Sequence, residues 1–134
     1  DRFAEIGATV LVEPVNANDV PGFLFNRLEP ALEAVKVTDR DNVKILFDLY
    51  HMAQSEPLLV DAIRQTDTLI GHVQFADNPG RHEPGSGEIN FSNVFAAIGQ
   101  VELRGPFRVL LVNTDFIKHE RCFGLPLTEK RLII

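Results

Sequence analysis

Apolar residues gather into four short runs, at about Thr9 to Glu13, Val43 to Asp48, Leu69 to Phe75 and Arg108 to Val112. Between the runs, apolar positions recur at helical spacing. Runs about 30 residues apart, each followed by a helical pattern, are what a strand plus a crossover helix produces. Each run is nearly continuously apolar rather than alternating, which predicts an α/β protein whose parallel sheet is covered on both faces.

Three helices are expected. The first spans about Arg27 to Lys36, with Leu28, Ala31, Leu32 and Val35 on one face, Asn26 as N-cap and Pro30 in a first turn that tolerates proline. The second spans about Pro57 to Gln65, carries Leu58, Leu59, Ala62 and Ile63, and is opened by Ser55 or Glu56. The third spans about Phe91 to Val101, with Val94, Phe95 and Ile98 on one side and Asn90 or Ser92 as cap. The opening stretch Asp1 to Gly7 reads as the last turns of a helix closed by glycine, so sequence is expected upstream of it.

Three runs end in a polar tip: Glu13, Asp48 and Gln74. Strand parity groups Thr9, Leu11 and Glu13; Lys44, Leu46 and Asp48; and Ile70, His72 and Gln74. The tips then converge at the carboxyl ends of adjacent parallel strands, where active sites of such folds lie. Two carboxylates and an amide, with His51 three residues after Asp48, offer oxygen donors plus one imidazole, a set suited to Mg²⁺ or Mn²⁺. The plainer expectation is that Glu13 and Asp48 cap helices or pair with arginines. The turn-rich loop Pro79 to Gly87 carries Arg81 and His82. Arg81 there either grips a carboxylate with its two-pronged guanidinium or bridges to Glu83 or Glu88. His72 reads as a core histidine, and Cys122 has no activating surroundings.

Composition narrows the function classes. The 134 residues, 45% of them hydrophobic, suit a single domain over 1–134 with a packed core. A net charge of −6 with dispersed basic residues excludes an electrostatic nucleic-acid footprint. One cysteine forms no internal disulfide, and neither a membrane-length apolar run nor a leader is visible, so a cytoplasmic setting is expected. Four βα units are about half of a (β/α)8 TIM barrel, which takes roughly 250 residues. Its two raw sheet edges must then meet missing sequence, the tail, or another copy in a homo-oligomer.

Five separated motifs carry a family resemblance: Leu11-Val-Glu-Pro-Val-Asn16, Asp19-Val-Pro-Gly-Phe23, Phe47-Asp-Leu-Tyr-His51, Gly71-His-Val-Gln74, and Pro79-Gly-Arg-His-Glu-Pro84 with Gly87-Glu-Ile-Asn90. From residue 1 to about 105 the chain resembles the carboxyl-terminal half of the hydroxypyruvate isomerases, within the xylose isomerase-like TIM barrels. The resemblance implies interconversion of hydroxypyruvate and tartronate semialdehyde through an enediolate. It also implies Glu13 as catalytic base and metal ligand where a metal is present, Asp48 and Gln74 as further ligands, His51 as a substrate contact, and Arg81 near the substrate's acid group, with His82 of the same loop expected to bind substrate too. The partner is then a small keto or hydroxy acid, with Mg²⁺ or Mn²⁺ as the expected ion.

The chain departs from that pattern at its end. The eighth strand of the family closes in a glutamate that is both ligand and second acid–base group, whereas Gly105 to Asn113 contains no acid and Asp115 lies too far along to replace it. Residues 106–134 form a divergent tail, of the kind an altered reading frame or alternative splice near Arg104 produces. A genomic frame running straight through would rule that out. Two alternatives accompany the isomerase expectation. One is a ketose epimerase on the same scaffold, although that branch usually has a histidine at the place of Gln74. The other is a non-catalytic half-barrel that oligomerises.

Overall fold

The structure is a computed structural model that describes residues 2–101, 107–109 and 131–133. In chain order the elements are α1 (Arg2–Glu5), β1 (Thr9–Val12), α2 (Leu28–Thr38), β2 (Val43–Asp48), α3 (Leu49–Ser55), α4 (Leu59–Thr66), a 3₁₀ turn (Asp67–Leu69), β3 (Ile70–Phe75), α5 (Phe91–Ile98), β4 (Phe107–Val109) and β5 (Arg131–Ile133). All strand pairs are parallel, in the order β4-β3-β2-β1-β5. The first four strands thus lie in sequence order, as in a segment of a βα barrel. The edge of β1 is taken by the tail strand, with Val10 opposite Leu132. Of the three expected ways to cover that edge, the tail does so within the chain.

One face of the sheet packs on the helices. Ile45, Phe47, Val73 and Phe75 join Leu28, Ala31, Leu32 and Val35 of α2, Ala62 and Ile63 of α4, and Val94, Ala97 and Ile98 of α5 in one apolar cluster. Burying each large side chain of this set is worth roughly 1.5–3 kcal/mol. The opposite face carries Leu11, Leu46, Asp48, His72 and Gln74, aligned by the pairs Leu46–His72 and Asp48–Gln74. Every one of them is buried.

Ile70 is a correction to the expected parity. It packs in the helix-side cluster, not beside His72 and Gln74, because the β2–β3 register slips between Ile45 and Leu46. Gly71 is the extra residue, and it lies where a Cβ would be 2.5 Å from Lys44 Cβ and 2.7 Å from Leu11 Cδ2. A bulge of this kind re-aims the side chains beyond it, and here it sets His72 and Gln74 on the face of Asp48.

Other differences concern helix ends. Helix α3 is not expected from the apolar pattern; it starts directly off β2 because Asp48 Oδ1 accepts the Tyr50 N–H at 2.9 Å. The next helix opens at Leu59, with Leu58 as its exposed N-cap residue, so neither Ser55 nor Glu56 caps it. Glu56 instead accepts the Leu28 N–H at 3.0 Å, satisfying the start of α2, whose N-cap is Arg27 and not Asn26. Asn90 caps α5 as expected, by accepting from Asn93 N. Phe95 is partly exposed, and Ala97 takes the buried place expected for it. The first strand stops at Val12, one residue before Glu13, and the fourth covers Phe107–Val109. Residues 110–112, Asp115 and Cys122 lie outside the described residues.

Candidate active site

Three of the expected site residues meet at the carboxyl ends of β1 and β2. Glu13, Asp48 and His51 each offer a donor atom within 4.8 Å of the others. His51 Nε2 stands 3.9 Å from Glu13 Oε1 and 3.9 Å from Asp48 Oδ2. Gln74 lies level with Asp48 in the strand ladder and is buried. Placing His51 three residues into a helix that begins at Asp48 turns its ring back over the strand end.

Arg81 joins this group from the loop after β3. Its Nη2 donates to Asp48 Oδ2 at 2.8 Å, and its Cζ sits 4.8 Å from the centre of the Tyr50 ring. The carboxylate it meets is Asp48, not Glu83 or Glu88. The plainer expectation for Asp48 is therefore met: it caps a helix through one oxygen and pairs with an arginine through the other. Arg81 Nε is buried without a hydrogen-bond partner. His82 is exposed, and its ring lies over Gly80, outside the Glu13–Asp48–His51 cluster.

Electrostatics single out Glu13. Burial, and then the nearby Asp48 charge, push its carboxyl from the ordinary 4.5 up to about 7, with Arg81 opposing. Burial likewise holds His51 below its ordinary value and Arg81 adds to this, while Asp48 and Asp19 pull the other way. A carboxyl group that is half protonated near neutrality is suited to proton transfer at that pH. Buried Asp48 and half-buried Glu13, facing one arginine, also leave negative charge to be met, and their oxygens are hard donors. The residues fit a divalent cation.

Two supporting residues escape a reading of the sequence. Asp77, fully buried, receives backbone N–H groups from Asn78, Gly85, Gly87 and Ile89 at 2.7–3.1 Å. Burial alone would push its carboxyl up, but these four bonds, led by that from Gly87, hold it below the ordinary value. It ties down the loop that presents Arg81. Asn16, 1% exposed, contacts His51 Nδ1 at 2.7 Å. A run of turn formers after a strand signals a loop, but not which acid organises it.

Comparison with known proteins agrees with this architecture. The family model described as xylose isomerase-like TIM barrel matches residues 1–115, past the last resembling motif. The chain is 41% identical over 96 residues to hydroxypyruvate isomerase of Escherichia coli, covering 72% of this chain and 37% of that protein. It is 37% identical over 105 residues to 2-oxo-tetronate isomerase of Pectobacterium atrosepticum, covering 78% and 40%. Among solved structures, 3-keto-D-glucoside 4-epimerase of E. coli superposes with a TM-score of 0.73 at 31% identity, over 81% of this chain and 40% of that one. The chain spans about two-fifths of the length of the curated relatives it matches. Among the described residues, no helix is long and apolar enough to cross a membrane.

Proposed function

The chain belongs to the xylose isomerase-like TIM barrel family, and on that premise we propose that it serves an isomerisation of a small 2-oxo acid, hydroxypyruvate to tartronate semialdehyde, with Glu13 as the base. The observation that carries this reading is the Glu13 carboxyl, raised to about 7 beside Asp48 and Arg81. Glu13 takes the proton from C3, next to the carbonyl; the electrons of that C–H bond form the C2=C3 double bond while the carbonyl pair moves onto oxygen, giving the enediolate. His51 gives a hydrogen bond to an enediolate oxygen. Arg81, anchored to Asp48 through Nη2, brings its guanidinium charge to the substrate carboxylate. His82 stands at the loop rim, where its contact with substrate needs movement of the side chain. Glu13, Asp48 and Gln74 would hold a divalent cation, which would supply Lewis acidity there. Among the described residues, β4 (Phe107–Val109) carries no acid for the family's second acid–base role, so the described residues account for enediolate formation.

A second reading, epimerisation of a neutral ketose, draws support from the similarity to the sugar epimerase structure. The positive charge of Arg81 at the site favours an acid. Binding of hydroxypyruvate and of D-tagatose, followed by ligand NMR in the presence of Mg²⁺, separates the two. The isomerase reading expects the acid to bind selectively and to weaken about 10- to 100-fold in Arg81→Ala, the worth of a charged hydrogen bond. Equal binding of both ligands, indifferent to Arg81, would overturn it.

A further inference from the structure

Asn16 has every hydrogen-bonding atom of its side chain committed. Its Oδ1 accepts the Asp19 backbone N–H at 2.9 Å, and its Nδ2 reaches Asp19 Oδ2 at 3.2 Å and His51 Nδ1 at 2.7 Å. The orientation of the amide follows from chemistry alone. A backbone N–H only donates and an ionised carboxylate only accepts. Turning the amide over would set Nδ2 against the N–H and Oδ1 against the carboxylate, two repulsive contacts in a part-buried place. Nδ2 therefore faces the imidazole with its second hydrogen.

That hydrogen decides the state of the ring. A hydrogen on His51 Nδ1 would meet the Asn16 N–H head-on at 2.7 Å, so Nδ1 offers its lone pair and the single ring proton sits on Nε2. Nε2 is the nitrogen that points at Glu13 and Asp48. We propose that Asn16 is a positioning residue that fixes His51 in the Nε2–H tautomer, so that the ring presents a hydrogen-bond donor to a substrate oxygen and has no lone pair for the cation. Distance alone groups His51 with Glu13 and Asp48 as a ligand set; the hydrogen-bond chain removes it and leaves the two carboxylates and the Gln74 amide oxygen. The substrate half of this inference rests on the proposed isomerase reading. The tautomer half does not.

The test reads the tautomer without substrate. A ¹⁵N-labelled chain at pH 8, with the His51 ring assigned by comparison with His51→Gln, is expected to show long-range ¹H–¹⁵N correlations of a bare Nδ1 and a protonated Nε2. A scalar coupling across the hydrogen bond from Asn16 Nδ2 to His51 Nδ1 is expected as well. Adding Mg²⁺ or Zn²⁺ should leave the proton on Nε2. Asn16→Asp, which puts an acceptor opposite Nδ1, should move the proton to Nδ1 and exchange the two nitrogen shifts. A protonated Nδ1 in the unaltered chain, loss of the Nε2 proton on adding the ion, or an unchanged tautomer in folded Asn16→Asp would each overturn the proposal. The unaltered chain decides the matter even if that variant does not fold. A fixed tautomer with no binding of hydroxypyruvate would count against the isomerase reading and leave the role of Asn16 standing.

Discussion

Arg81 reaches Asp48 through a 2.8 Å bond from Nη2 to Oδ2, joining the loop after β3 to the end of β2. Arg81 adopts φ 58°, a left-handed conformation that costs a residue with a side chain roughly 1 kcal/mol or more. The ion pair and the Tyr50 ring stabilise it there.

Removing that arginine should therefore cost more than a surface ion pair does. Asp48 is 1% exposed, and Arg81→Ala leaves its charge poorly compensated. Urea unfolding at pH 8 without divalent ions is expected to show a loss of about 2–3 kcal/mol. Millimolar Mn²⁺ should restore part of it by occupying the vacated charge. A variant as stable as the parent would show that the pair carries no weight.

Glu13 predicts a pH dependence of stability. Its folded value of about 7 lies above the ordinary 4.5, so the folded state binds the proton more tightly than the unfolded state. Its contribution is intact below pH 4.5 and is lost as pH rises through 7. Glu13→Gln, which cannot ionise, should match the parent near pH 4.5 and exceed it at pH 8 by about 2–3 kcal/mol. The comparison is made by chemical unfolding across that range; parallel curves for the two proteins would contradict the raised value.

Cation binding should release protons for the same reason. At pH 7 Glu13 is about half protonated, and a bound divalent ion displaces what is there. Calorimetric titration with Mg²⁺ or Mn²⁺ in buffers of different ionisation enthalpy should give about half a proton per ion at pH 7 and close to none at pH 9. Equal release at both pH values would mean that Glu13 is not a ligand.

Gly87 permits the anchoring of the Arg81 loop. A Cβ there would stand 2.6 Å from Asp77 Oδ1 and 2.5 Å from the Asn78 carbonyl oxygen. Gly87→Ala should break the bond to Asp77, cost about 1–3 kcal/mol, and speed hydrogen exchange at the amides of Gly85, Gly87 and Ile89 together. Exchange altered at residue 87 alone would show that Asp77 does not hold the loop as a unit.

Much of this architecture is legible in the order of residues. Apolar runs at strand spacing place β1 to β3, and polar residues at their ends place Glu13, Asp48 and Gln74 near one another. The rest depends on partners distant in sequence. Helix α3 escapes notice because its apolar pattern merges with β2, and only the Asp48 bond to Tyr50 N separates them. The bulge at Gly71 is invisible without the facing Lys44 and Leu11. Asn16 is visible in a motif, but its effect on His51 needs a contact across 35 residues. Arg81 is found as a candidate, yet Asp48 as its partner is not, since Glu83 and Glu88 are nearer along the chain.

The central claim, that Glu13 removes a proton next to a carbonyl, is met most directly by incubating the chain with hydroxypyruvate and Mg²⁺ in D₂O and following the C3 protons by NMR. Deuterium entry at C3 that falls about 10²- to 10⁴-fold in Glu13→Gln is the predicted result, the range expected when a general base is lost. Entry at the same rate in both proteins would contradict it.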